Sequence, residues 1–375
     1  MQQESPGSKS SSDRERGREC VTLLHSGRSE AQKPLLIQSP PWPGYCVSGS
    51  MTAINKLDSD PSCHRHARAH FDGVPYHIIS KPLRGEFLLA PKKHTASLTA
   101  GVVAKAQANW PGVRLYGYAF MSNHFHLMVS GKSEEISAFV GFIKREISRR
   151  LGQKYNLSGS LWHSRFLSTA LPTPESQEEC LVYILSQGVK ENLVEHPNQW
   201  PGLHCARALL EGAVDGGSWF NATAYGEAKR EQERSGGRVV VRKSEFYQTL
   251  QIKLTPIGAW SHLDASSRRR RARELVGAMV AKAAAKRREA GIRVVGRKAV
   301  VGMSIFKRVP PPPPPWWEER RRTLTAWARM SDALTQEYLA LYWTFQEAFR
   351  AASEALKAFG QSSFPKGAWV PSHYR

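Results

Sequence analysis

The chain has few cysteines for its length, and they are scattered. No two of the five form a C-x-x-C pair among the 375 residues: they are Cys20, Cys46, Cys63, Cys180 and Cys205. An odd number without regular spacing supports neither a disulfide framework nor a zinc site built on thiolates. The cysteine usage favours a reducing setting, and we expect a cytoplasmic protein.

Long apolar runs are also missing. No stretch approaches the roughly 20 apolar residues that a membrane-spanning helix needs, and the first residues lack the apolar core of a signal peptide. We therefore expect no membrane partner. A basic protein at a membrane surface remains the competing interpretation of the composition.

Acidic residues are scarce beside basic ones. The chain has 53 Lys and Arg residues against 32 Asp and Glu residues, which gives a net charge of +21. A surplus of this size predicts a polyanionic partner, and nucleic acid is the usual one. With 375 residues and 41% hydrophobic content, the chain is long enough for two domains with cores of their own.

One apolar stretch carries two histidines. Residues 119–129 are rich in aromatic and aliphatic side chains and predict a β-strand, interrupted by Asn123. Side chains alternate along a strand, so we expect His124 and His126 on one face and Phe125 on the other. Two adjacent imidazoles can hold one divalent metal ion. A lone His-X-His pair is also common by chance, so the pair needs support from other residues.

The segments around this stretch predict a regular order of elements. The predicted strands are 74–80, 113–118, 119–129 and 166–171, and the predicted helices are 91–109, 134–151 and 175–190. This order is strand, helix, strand, strand, helix, strand, with one more helix appended. It predicts an α+β fold with a ferredoxin-like antiparallel sheet and helices on one face.

The appended helix carries a second candidate group. Tyr183 and Gln187 are four residues apart, so they are expected to share a helix face. A phenol can attack a phosphodiester when a metal ion stabilises charge on the phosphate, and a carboxamide can supply an oxygen ligand to that ion. The alternative is that Tyr183 is a half-buried packing residue, and composition alone leaves both open.

Four sequence blocks resemble one family in its own order. The block Met121-Ser122-Asn123-His124-Phe125-His126-Leu127 resembles the M-P-N-H-x-H-L signature of the HUH single-tyrosine transposases, in particular the branch associated with repetitive extragenic palindromes (REP). Residues 76–78 resemble its opening Y-H-V strand, residues 159–166 its G-x-x-W-x-x-R-F block, and residues 183–194 its Y-I-x-x-N-P-V-x-A-x-L-V block. The resemblance extends from about residue 70 to 202, a little over a third of the chain.

The resemblance implies roles for four residues. His124 and His126 would bind Mg²⁺ or Mn²⁺, and Gln187 occupies the position where the family has Asn or Gln completing the metal site. Tyr183 would be the nucleophile that forms a 5′-phosphotyrosine link and releases a 3′-OH. His and carboxamide ligands admit several divalent ions, so the identity of the metal stays open.

Other residues are expected to contact DNA. Trp162 and Arg165 would position DNA or brace the fold. The second predicted helix presents Lys144, Arg145 and Arg149 opposite its apolar stripe, where they would contact the DNA backbone or form a solvated face.

Two departures from the family pattern are visible. Gly188 replaces the usual Pro, and we expect it to loosen the helix end and the position of Tyr183. Glu191-Asn192 replaces the usual small residue, which we expect to be a tolerated surface change. Neither departure removes a catalytic group.

The chain is predicted to have five parts. They are a disordered tail (1–60), the HUH domain (61–212), a basic α/β extension (213–309), a polyproline spacer (310–315), and a C-terminal amphipathic helix with a tail (316–375). The extension is mainly helical and basic. An apolar stripe on the last helix, which includes Leu334, Tyr338, Leu341, Phe345, Ala352 and Phe359, predicts packing on the domain or on a partner chain, so a homodimer is allowed but not required.

The predicted function is a metal-dependent tyrosine DNA strand transferase, a transposase acting on single-stranded or hairpin DNA. As a member of such a family it would be a bacterial protein associated with the nucleoid. Three alternatives stay open: a domesticated, catalytically inactive DNA-binding protein on the same fold, a replication-initiator or relaxase-type nuclease, and a basic RNA-binding module. The last would bind equally well after His124→Ala.

Overall fold

The computed structural model describes residues 67, 70–236, 238, 240–307 and 332–368, without the side chains of residues 84 and 332–335. The predicted tail (1–60) and the predicted polyproline spacer (310–315) lie outside the described residues. Among the described helices, none is both long and apolar enough to cross a membrane.

The centre of the fold is a four-stranded antiparallel sheet. Its strands are β1 (Tyr76–Ser80), β2 (Arg114–Phe120), β3 (Phe125–Ser130) and β4 (Leu167–Ala170), in the spatial order β2-β3-β1-β4. Helix α1 (Lys93–Asn109) connects β1 to β2, and helix α2 (Ser133–Tyr155) connects β3 to β4. The predicted α+β, ferredoxin-like arrangement is therefore confirmed.

The first two helices contact each other and complete the core on one side of the sheet. In α2 the apolar side chains recur at helical spacing, and the residues of the predicted stripe are fully buried: Ile136, Phe139, Val140, Ile143 and Ile147. The helix ends at Asn156, which adopts a left-handed conformation with φ of 50°. Asn tolerates this conformation better than most residues, so the sequence itself ends the helix there.

A third helix, α3 (Pro174–Leu185), follows β4. Thr173 caps it, because its side chain accepts the backbone N–H of Ser176 while the Ser176 hydroxyl accepts the backbone N–H of Thr173. The helix packs closely on β2, where a Cβ at Gly117 would lie 2.9 Å from Cδ1 of Leu181. Gly117 pairs with Met128, which shares a strand face with His126, so α3 lies on the histidine face of the sheet.

The stretch 119–129 is not one strand, as predicted, but the junction of two. Strand β2 ends at Phe120 and β3 begins at Phe125. Between them the backbone N–H of Met121 donates to the carbonyl oxygen of His124 (2.8 Å) and closes a hairpin turn. His124 therefore lies in the turn, and only His126 lies on the strand.

The remaining described residues add helices and a two-stranded sheet. These elements are α4 (Ala206–Glu211), β5 (Gly216–Phe220), α5 (Ala222–Arg234), β6 (Tyr247–Gln251), α6 (Ala265–Glu289), α7 (Arg297–Gly302) and α8 (Asp332–Phe359). Trp219 and Phe220 belong to β5, which pairs with β6. Strand β5 lies so close to α1 that a Cβ at Gly101 would overlap the carbonyl oxygen of Ser218.

Helix α8 packs on the start of the sheet domain. Phe71 contacts the rings of Tyr338 and Phe345, with centroids 5.9 and 6.3 Å apart. The side chain of Gln346 exchanges two hydrogen bonds with the backbone of Ala67, of 3.0 and 2.8 Å. The contact is within the chain, and the homodimer stays a prediction.

The apolar stripe predicted for α8 is only partly right. Tyr338, Phe345 and Ala352 are buried, but Leu341 is 55% exposed and Phe359 is 78% exposed. The buried face instead includes Tyr342, which is four residues after Tyr338 and therefore shares its helix face.

Candidate active site

Histidines from the adjacent strands β1 and β3 and from the turn between β2 and β3 meet on one face of the sheet. In the strand register, His77 pairs with Met128 and Ile79 pairs with His126, which places both imidazoles on the same face. Nε2 of His77 lies 3.0 Å from Nδ1 of His126. The ring of His124 stands nearly perpendicular to that of His126, with centroids 4.8 Å apart.

All three imidazoles are held in the neutral state. Burial, and secondarily the charge of nearby lysines, lowers the pKa of His77 and of His124 to about 3. Burial also lowers the pKa of His126 well below its usual value. A neutral imidazole keeps the lone pair that a metal ion requires, so near pH 7 these residues are in the ligating form.

Gln187 approaches the histidines from the end of α3. The prediction that Gln187 lies on the helix is wrong, because α3 ends at Leu185 and Gln187 belongs to the following turn. Its amide group donates from Nε2 to the carbonyl oxygen of Tyr183 (3.1 Å). This contact orients Oε1 towards Nε2 of His124, 3.4 Å away.

The phenol ring of Tyr183 lies against the same histidines. Its centroid is 5.7 Å from that of His77 and 5.5 Å from that of His126, both in edge-on contact. Nζ of Lys190 lies 3.6 Å from the ring centroid, which is a cation–π contact. Burial raises the pKa of the Tyr183 phenol, and a hydrogen bond from Gln187 acts in the opposite direction. The structure thus brings together all four predicted catalytic and metal residues.

The sequence reasoning missed His77 and Lys190 as site residues. His77 was present in the Y-H-V block, but only the strand register reveals that it contacts His126. Lys190 follows the end of α3, and its contact with Tyr183 depends on the path of the turn. Lys190 is seven residues after Tyr183, so regular helical spacing would place both residues on one face but two turns apart.

Two expectations about the turn are corrected. Gly188 does not loosen it: the residue has φ of +84°, and its carbonyl oxygen accepts the backbone N–H groups of Leu193 and Val194 at 2.8 and 3.0 Å. Glu191 is not a surface change, because its side chain is only 8% exposed and pairs with Lys190.

The donor set fits a divalent ion. His77 bonds to Nδ1 of His126, which fixes that ring and leaves Nε2 as the nitrogen that could face a metal. His124 and Gln187 already converge through Nε2 and Oε1. Among the residues that the structure describes, no cluster of three or more His, Cys, Asp and Glu side chains is arranged as a metal site. The candidate set is therefore two neutral imidazoles and one carboxamide, which Mg²⁺ or Mn²⁺ accepts only together with other oxygen ligands.

The candidate DNA-binding residues fall into two groups. Lys144 and Trp162 brace each other, because the indole N–H donates to the carbonyl oxygen of Lys144 (2.9 Å) and Nζ of Lys144 lies 5.3 Å from the indole centroid. Arg149 forms an ion pair with Glu146 (2.7 Å). Arg145 and Arg165 are exposed. Arg149 is exposed as well, and Nε of Arg145 also lies 3.9 Å from Oε1 of Glu146.

Comparisons with known proteins agree with the family-like blocks. The model of the family "Transposase IS200 like" matches residues 73–187. The chain is 16% identical to a REP-associated tyrosine transposase solved with a REP hairpin, with 40% of this chain and 86% of that chain covered and a TM-score of 0.34. It is 18% identical to a predicted transposase from Deinococcus radiodurans R1, with 33% and 98% covered and a TM-score of 0.24. No curated protein matches the chain. Because both TM-scores are low, the similarity to transposases depends on the family model, which matches residues 73–187.

Proposed function

We propose that the chain, whose residues 73–187 match the model of the family "Transposase IS200 like", cleaves and rejoins single-stranded or hairpin DNA through a 5′-phosphotyrosine intermediate. One observation carries the proposal. The Tyr183 ring lies in edge-on contact with His77 and His126, and Gln187 reaches from the Tyr183 carbonyl to His124. A candidate nucleophile and candidate metal ligands thus lie together on one face of the sheet.

In the cleavage step, the phenolic oxygen of Tyr183 attacks the scissile phosphorus. A bond forms between that oxygen and phosphorus, the bond from phosphorus to the 3′ oxygen breaks, and the departing oxygen takes a proton to become a 3′-OH. The phenol loses its own proton to solvent. Attack by a 3′-OH on the phosphotyrosine reverses the sequence, so the same residue cleaves and rejoins DNA without an external energy source.

His124, His126 and Gln187 would hold the divalent ion, Mg²⁺ or Mn²⁺. When bound, the ion supplies positive charge that stabilises the phosphate oxygens during attack. Two contacts within this chain would orient the ligands of the ion. His77 holds the ring of His126, and the Tyr183 carbonyl holds the amide of Gln187. Metal binding by Gln187 and attack by Tyr183 would therefore be coupled through the hydrogen bond between them at the end of α3.

The DNA-binding surface would include the exposed Arg145 and Arg165. Arginine side chains at such positions recognise the phosphate backbone rather than the bases. Lys144 and Trp162 would support this surface by joining α2 to the segment before β4. The net charge of +21 supports a nucleic acid partner and predicts binding that weakens with salt.

A second candidate is a catalytically inactive DNA-binding protein on the same fold. The observation that favours it is the Tyr183 phenol, whose pKa burial raises, so that the nucleophilic phenolate is disfavoured. In an active enzyme, the bound metal ion and the ammonium group of Lys190 would need to offset this rise in the pKa of the phenol.

A cleavage assay separates the two candidates. A labelled library of single-stranded hairpin oligonucleotides is incubated with wild type or Tyr183→Phe and Mg²⁺ or Mn²⁺, then resolved on denaturing gels. The proposal expects a covalent protein–DNA adduct that requires metal and is absent from Tyr183→Phe. DNA binding without any adduct under either metal would establish the inactive binder instead.

A further inference from the structure

The two departures from the family pattern touch each other. The backbone N–H of Gly188 donates to Oε2 of Glu191 at 2.6 Å. The family's Pro could not replace Gly188 here, because Pro has no N–H and its ring holds φ near −65°, whereas Gly188 has φ of +84°. The glycine and the glutamate are therefore one structural change.

The turn that carries them leaves little room for a side chain at position 188. A Cβ at Gly188 would lie 3.2 Å from Cε3 of Trp200 and 3.3 Å from Cγ2 of Val194, so larger residues are opposed by space as well as by φ. The Trp200 indole N–H in turn donates to the carbonyl oxygen of Phe120 (2.9 Å), at the end of β2. The turn is thus tied to the strand that leads into the histidine hairpin.

Glu191 extends the connection to a cation. Its Oε1 lies 3.6 Å from Nζ of Lys190, and the side chains are 8% and 23% exposed respectively. A partly desolvated ammonium needs such a partner to remain charged. The same Nζ lies 3.6 Å from the centroid of the Tyr183 ring.

We propose that Gly188, Glu191 and Lys190 form a positioning unit for Tyr183, in which Lys190 holds the face of the ring while His77 and His126 contact it from the strands. The inference rests on the proposed function, because a role in positioning matters only if Tyr183 is the nucleophile. Lys190 acts through Tyr183 and is a positioning residue. The ring is fixed before DNA arrives, which removes orientational freedom that attack would otherwise have to overcome.

The unit also accounts for the two departures occurring together. A chain with Pro at position 188 offers no N–H to a carboxylate at position 191, and a buried carboxylate without that donor is costly. Here the Gly188 donor and Glu191 allow a charged lysine to lie over the nucleophile.

The test compares Lys190→Gln, Lys190→Arg and, as a matched loss of charge, Lys253→Gln in the exposed segment after β6. Two quantities are measured on the full chain with hairpin DNA and Mn²⁺: the single-turnover rate of adduct formation at saturating DNA, and the Kd for DNA. Each variant is also labelled with 3-fluorotyrosine, and the ¹⁹F resonance of Tyr183, assigned with Tyr183→Phe, is recorded without DNA or metal.

We expect Lys190→Gln to slow adduct formation about tenfold, in line with a cation–π contact in a partly desolvated site. Its Kd should change less than about twofold, and Lys190→Arg should recover most of the rate because a guanidinium also stacks on aromatic faces. Lys253→Gln should leave both quantities unchanged. The fluorine resonance of Tyr183 should move in Lys190→Gln and stay in place in Lys253→Gln.

Three results would overturn the inference. An adduct rate for Lys190→Gln within about twofold of wild type would show that the contact does not position the nucleophile, while the proposed function would stand. If Lys190→Arg lost as much rate as Lys190→Gln, positive charge at position 190 would not be what positions the ring. Absence of any adduct from wild type would refute the proposed function and the positioning role together, and the fluorine shift would then report only whether the contact exists.

Discussion

The two halves of the candidate site are built on different principles. The strand half, His77 and His126, follows from side-chain alternation and register in a rigid antiparallel sheet. The turn half, with Tyr183, Gln187 and Lys190, is placed by hydrogen bonds at and beyond the end of α3. The strand half uses features common to any such sheet, whereas the turn half also depends on Gly188 and Glu191, which depart from the family pattern. We therefore expect mutations in the strand half to change metal binding. Mutations in the turn half should change the positions of the side chains.

The largest expected effect is the loss of a metal ligand. His124→Ala should abolish the adduct, because one imidazole of the candidate donor set is removed. His124 is partly exposed and lies in a turn, so the fold should persist. Gel assays for the adduct and fluorescence anisotropy for DNA binding measure the two properties separately. Full adduct formation by this variant would remove His124 from the site.

The turn half should break at Gly188. Gly188→Pro loses the N–H that Glu191 accepts and cannot adopt φ of +84°, so we expect about 3 kcal/mol or more of lost unfolding free energy. Gly188→Ala keeps the N–H and should lose less, about 1–2 kcal/mol from the left-handed backbone. Urea unfolding measures both. Equal losses for the two variants would contradict the importance of the Glu191 hydrogen bond.

The strand half should weaken when His77 no longer holds His126. His77→Phe replaces the ring with one of similar size and removes the 3.0 Å contact with Nδ1 of His126. Loss of such a supporting partner typically costs about 10–100-fold in metal affinity. Isothermal titration with Mn²⁺ measures the effect, and His124→Ala serves as the reference for losing a ligand itself. Unchanged affinity would mean that the contact with His77 does not support His126 as a ligand.

A smaller effect tests the claim that burial keeps imidazoles neutral in this core, using a histidine outside the site. Burial lowers the pKa of His204 to about 4, and its Nδ1 accepts the backbone N–H of Ala206 (3.0 Å). Between pH 6.5 and 4 the unfolded state binds more protons than the folded state, so stability must fall as pH falls through this window. From pH 6.5 to 5 the loss is on the order of 1–2 kcal/mol.

The variant His204→Asn isolates this contribution, because Asn can accept the same backbone N–H without titrating. Urea unfolding at pH 6.5 and pH 5 should show a smaller loss of stability for the variant than for wild type. Identical pH dependence in the two proteins would mean that His204 is not responsible.

Much of the fold could be predicted because periodicity is a local property. The stripe of α2, from Ile136 to Ile147, and the order of strands and helices needed no information about distant contacts. The helical stripe of α8 was predicted less well, since Leu341 is exposed while Tyr342 is buried. Which aromatic residues are covered there depends on Phe71, far away in the sequence.

The candidate site was predictable only where blocks of sequence resembled a family. His124, His126, Tyr183 and Gln187 came from those blocks, and the structure brings them together. His77 could not be chosen from spacing, because a shift of one residue in register would turn it to the other face. The hydrogen bond between Gly188 and Glu191 could not be predicted either, because it depends on a positive φ that the sequence alone does not show.

The central claim is that the nucleophile and the metal ligands act at one site. Peptide mass spectrometry tests this claim most directly. Wild type is incubated with hairpin DNA and Mn²⁺, the DNA is digested to a residual nucleotide, and the modified peptide is sequenced. The account predicts a phosphotyrosine link at Tyr183 that disappears when the metal is chelated. A link at any other residue, or a link at Tyr183 that forms equally well without metal, would contradict it.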